Sequence, residues 1–74
     1  MAVFTSSVFA LRRKMIIRAL IKAGAADPTS AKALSETDLE NPESFPEFTG
    51  RLVDLKVIHR TPDGKYYVQG EQGI

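Results

Sequence analysis

The sequence predicts a small α+β domain, mainly helical, in which three helices are followed by a β-hairpin. Three observations predict it. From Val8 to Ala23, apolar residues recur at three- and four-residue spacing. A later helical pattern closes at Leu55 and Lys56 and turns through Val57 and Ile58. It runs into a short alternating stretch interrupted by Thr61-Pro62-Asp63-Gly64, a sequence suited to a tight hairpin turn.

The elements follow in order along one expected domain, residues 1–74. After an N-terminal segment (1–6), helix 1 is expected over 7–24, with Ser6 or Ser7 as its cap. Val8, Leu11, Met15, Ala19 and Ala23 form its apolar stripe, widened by Ile16 and Leu20. Arg12, Lys14, Arg18 and Lys22 fall mostly on the other side, and Gly24 suits the position just past the helix end. Pro28 argues against helix through the connector. A short helix 2 is expected over 30–36, starting at Thr29 or Ser30, followed by a turn in which Leu39 points inward.

Helix 3 is expected over 45–56. Ser44 and Glu47 have the spacing of a capping box, and Pro46 is tolerated in a first turn. Phe45, Phe48, Leu52 and Leu55 make its apolar face; Glu47, Gly50, Arg51 and Asp54 make the other. The hairpin is expected over 57–68. Its register sets Thr61 opposite Lys65, Arg60 opposite Tyr66, His59 opposite Tyr67 and Ile58 opposite Val68. Residues 69–74 read as a tail.

Composition narrows the function. A chain of 74 residues buries only a small core. It has no cysteine and one histidine, so no disulfide, metal or other cofactor is expected. No run approaches the roughly 20 apolar residues that span a bilayer. The N-terminus is apolar before it is basic, the reverse of a secretory signal, and a cytoplasmic location is expected. His59 has no orienting carboxylate, because Asp63 serves the turn. No Gly-rich phosphate loop or paired-carboxylate cleft is visible, so neither an enzyme nor a small-molecule substrate is expected.

Charge is unevenly spread. Residues 1–26 carry five cations and no acid, and residues 27–54 carry seven acids against two cations. The cations of helix 1 suit phosphates or an acidic protein surface, including the acidic middle of this chain within the fold or across a dimer. Val3, Phe4, Val8, Phe9 and Leu11 are the candidate dimer interface, since together they would make a sticky patch if exposed. Docking on the domain's own core is the alternative.

The run Leu52-Val53-Asp54-Leu55-Lys56-Val57-Ile58-His59-Arg60, followed by Thr61-Pro62-Asp63-Gly64-Lys65-Tyr66-Tyr67-Val68, resembles the helix-3-to-wing segment of winged helix-turn-helix regulators, such as the MarR-like group. The likeness spans roughly residues 10–68. Lys56 departs from the Gly often found at that place, so it either takes a left-handed conformation or the helix ends differently. The resemblance implies a DNA-binding transcriptional regulator acting on double-stranded DNA. Thr49 and Arg51 would then contact the groove, and Lys32, Arg60 and Lys65 the backbone. The alternative is a winged-helix protein-interaction module without DNA binding, favoured by the acidic region leading into helix 3.

Overall fold

A computed structural model describes residues 3–69, and side chains from residue 8 onward. The first helix, α1, spans Val3–Lys22 and so runs through both serines expected to cap it. It ends where Gly24 takes φ 79. There the Gly24 N–H donates to Ile21 O and the Ala25 N–H to Leu20 O, the paired bonds of a Schellman close.

The core forms where α1 meets the last third of the chain. Ile16, Ile17, Leu20, Leu52 and Ile58 are fully buried, and Val68, Leu34 and Leu39 complete the cluster. Each large aliphatic side chain buried this way contributes about 1.5–3 kcal/mol. Together Ile16, Ile17 and Leu20 set the rotation of α1. Ile16, Ala19 and Leu20 of the expected stripe are buried, but the face is rotated from its remainder: Val8 and Leu11 face outward, and Met15 only flanks the core.

The expected second helix over 30–36 is not formed. The Asp27 carboxylate accepts from the Thr29 and Ser30 N–H groups and from both their hydroxyls, folding residues 27–30 into a turn. Lys32 is then extended, exchanging two backbone hydrogen bonds with Tyr66. Only Leu34–Glu36 winds, as a single 3-10 turn, with the Glu36 carboxylate accepting from the Ala33 N–H. Pairing with a distant strand outweighs the weak helix preference of so short a stretch.

The second helix of the protein, α2, spans Pro46–Asp54. Its cap is Phe45 at φ 55, with no side-chain cap bond, so the Ser44–Glu47 capping box is not made. At its far end Lys56 takes φ 66. The Lys56 N–H donates to Val53 O and the Val57 N–H to Leu52 O. This repeats the closure seen at Gly24, with lysine in the glycine position.

Strands β1 (His59–Arg60) and β2 (Tyr66–Tyr67) pair antiparallel, His59 with Tyr67 and Arg60 with Tyr66. The Thr61 N–H donates to Lys65 O, and Gly64 at φ 82 closes the turn. Ile58 and Val68 both enter the core. The architecture is thus two α-helices and a two-stranded antiparallel sheet, a small α+β fold. This corrects the winged helix-turn-helix expectation: among the described residues there is no third helix, and the segment before α2 is a strand-like bridge and a 3-10 turn. The expected tail beyond Gln69 lies outside the described residues. Among the described residues no helix is long and apolar enough to cross a membrane.

A candidate docking groove along the first helix

The connector from Thr37 to Phe45 packs beside α1, with Leu39 buried in the core and the backbone around residues 40–44 gathered by one α1 side chain. Arg12, expected among the exposed cations, is 4% exposed. Its Nη1 donates to Glu40 O at 3.0 Å, and its Nη2 to Asn41 O at 2.8 Å and Ser44 O at 3.2 Å. Burial lowers its pKa from the ordinary guanidinium value. The side chain still carries its charge, spread into carbonyl dipoles rather than a carboxylate. Its Nε is buried, with no hydrogen-bond partner among the described residues. The chain reverses around it with Asn41 and Phe45 both at positive φ.

An aromatic row joins the two helices beside this clamp. Arg12 lies over Phe45, Phe45 stacks on Phe48 at 5.1 Å, and Phe48 meets Phe9 edge-on at 5.3 Å. Arg51 closes the row, 5.9 Å from the Phe9 centroid. Cation–π and aromatic contacts of this kind add modestly to area burial, and they order the side chains involved.

What remains open is a groove between α1 and the connector. A section of about 440 Å³ is floored by Leu11, Met15, Ala19 and Leu39. A continuation of about 230 Å³ reaches Val8 and Phe45. Leu11 is 61% exposed, and Val8 and Phe45 are each 44% exposed. The α1 wall carries Lys14, Arg18 and Lys22; the connector wall carries Asp38 and Glu40. Lys22 Nζ and Asp38 Oδ2 meet at 2.6 Å and bridge the walls. The hydrogen bond to Asp38, then its charge, raises the Lys22 pKa. Both side chains are well exposed, so the pair adds little stability. The acidic middle of the chain does face the cations of α1, but among the described residues through a single ion pair and the carbonyls around Arg12.

The residues expected to contact DNA are placed differently. Thr49 is 6% exposed. Arg51 is exposed but lies against Phe9, and among the described residues it forms no ion pair with Glu47 or Asp54. Lys32 and Arg60 flank Tyr66 on paired strands, so the three share one sheet face. Arg60 and Thr49 also line a cleft of about 260 Å³. Lys65 stands at the hairpin end, half-buried.

Of the expected dimer residues, Val8 and Leu11 reach the groove, whereas Phe9 turns inward onto Phe48. The side chains of Val3 and Phe4 lie outside the described residues. Reasoning from sequence missed Met15, Leu39 and Phe45 as groove residues, because apolar spacing alone does not separate a core stripe from a neighbouring exposed one. Among the described residues no cluster of three potential metal ligands occurs. No family model matches the chain, and comparisons with curated proteins and with solved structures return no match.

Proposed function

We propose that this protein is a protein-interaction module whose docking surface is the groove along α1. The observation that carries the reading is the groove itself: an apolar floor, with Leu11 exposed and Met15 half-buried, between walls of opposite charge. Apolar floors with charged rims are suited to protein segments, which bring side chains of both kinds.

A duplex-binding role draws less support from the same surface features. DNA presents a dense line of negative charge, and a reading helix must tolerate it. The exposed face of α2 carries Glu47 and Asp54 against Arg51 alone, with Thr49 buried. Two carboxylates directed at phosphates are repulsive.

The test follows amide and methyl NMR signals during two titrations. One uses random-sequence duplex DNA at low salt; the other uses a synthetic amphipathic helix with leucines on one face and mixed Glu and Lys edges. The docking reading expects the peptide to shift Leu11, Met15, Leu39 and Phe45, and the duplex to give no saturable shift. Saturable duplex shifts at Arg51, Arg60 and Lys65, with the groove silent to the peptide, would overturn it.

A further inference from the structure

Resting on the docking reading, we infer that the occupant of the groove is a second copy of this chain, bound with the two α1 helices parallel. The argument is charge complementarity under symmetry. Two copies meeting face to face are related by a two-fold axis lying in their interface. The groove has a cationic wall on α1, with Lys14 and Arg18, and an acidic wall on the connector, with Asp38 and Glu40. Among the described residues Lys14, Arg18 and Glu40 have no ion-pair partner within the chain.

Only two orientations keep the groove axes aligned. An axis running across α1 sets the cationic walls of the two copies against each other, and likewise the acidic walls. An axis running along α1 sets each cationic wall against the acidic wall of the other copy, twice. Like charges placed opposite one another disfavour the first arrangement. In the second, residues at equal height meet, so Leu11 approaches its own counterpart and so does Met15. The exposed apolar floor is then covered from both sides, with the opposite charges at its rim.

Sedimentation equilibrium on the full chain, at low and high salt, measures the association. The expected result is a monomer–dimer equilibrium that weakens as salt rises. Lys14→Glu with Arg18→Glu in one variant, and Glu40→Lys in a second, should each weaken self-association about tenfold or more. Mixing the two should restore dimers, because each reversed wall then faces its opposite. Restoration on mixing also shows that both variants are folded.

Orientation is read by cross-linking, which is clean because the chain has no cysteine of its own. Leu11→Cys and Met15→Cys should each give a disulfide dimer under mild oxidation. Cross-linking by Met15→Cys without Leu11→Cys would overturn the parallel arrangement. A monomer at every concentration, with the groove still responding to the synthetic helix, would overturn the second copy while leaving the docking reading in place. A protein that is monomeric at every concentration and whose groove is also silent to that helix would remove the docking reading itself.

Discussion

The guanidinium of Arg12 lies 5.5 Å from the centroid of the Phe45 ring, and Phe45 is the left-handed residue from which α2 starts. One side chain of the first helix therefore fixes both the path of the connector and the origin of the second helix. A left-handed, non-glycine residue costs roughly 1–2 kcal/mol. Here that cost is offset by stacking on Phe48 and by the carbonyls gathered around Arg12.

Removing the donors of Arg12 should be severely destabilising. Arg12→Met keeps the apolar stem but leaves the carbonyls of Glu40, Asn41 and Ser44 without their donor. The expected loss is about 3 kcal/mol, a large part of the stability of so small a domain. Arg12→Lys should recover only part of it, since an ammonium lacks the planar fork. Urea denaturation at neutral pH measures both, and a loss below half the stated value for Arg12→Met would show that the clamp is not what holds the connector.

Lys56→Gly should stabilise the protein. Lys56 sits at φ 66 in the position that closes α2, where glycine has no Cβ to strain. A gain of about 1 kcal/mol is expected. Lys56→Ala, which keeps the strain, should show no such gain. Thermal melts of the two variants side by side make the comparison.

Core and groove residues of α1 should separate cleanly. Leu20 is fully buried, and Leu20→Ala should cost about 2–5 kcal/mol. Leu11→Ala, from an exposed position, should change monomer stability by less than about 0.5 kcal/mol. Equal losses in dilute solution would mean that Leu11 is part of the core rather than of the groove.

Acid should expose the role of Asp27. The Thr29 hydroxyl, then the Ser30 hydroxyl and N–H, hold its carboxylate below its ordinary pKa. A carboxylate depressed in the folded state contributes stability above its unfolded value, near 3.9, and that stability is lost as the pH falls through the folded value. Wild type should therefore exceed Asp27→Asn most at neutral pH, and the gap should close below about pH 4. Denaturation midpoints taken at neutral and strongly acidic pH give the difference.

Local chemistry was legible in the sequence, and distant pairing was not. Thr61-Pro62-Asp63-Gly64 specifies its own turn, so the register of His59 with Tyr67 and Arg60 with Tyr66 follows from neighbours in the chain. The end of α1 at Gly24 and the inward placement of Leu39 are local in the same sense. Lys32 is different. Its conformation is set by Tyr66, far away in sequence, and no nearby residue announces that bridge. Arg12 looked like one more surface cation because its partners are backbone carbonyls, which every residue has. As for the groove, Val8 and Leu11 were recognisable as apolar residues needing cover. Met15 and Phe45 read as core until the rotation of α1 was known.

The backbone bond from the Val68 N–H to Ala25 O, at 2.9 Å, ties the returning side of the hairpin to the turn that follows α1. Tyr66 likewise completes its pairing with Lys32 from the same late segment. Both contacts span half or more of the described chain, so their loop-closure entropy must be met before the core is whole. During synthesis α1 would emerge long before the strand that seals it. Its apolar side would stay uncovered until Val68 had cleared the ribosome, and the domain would then assemble as one cooperative unit.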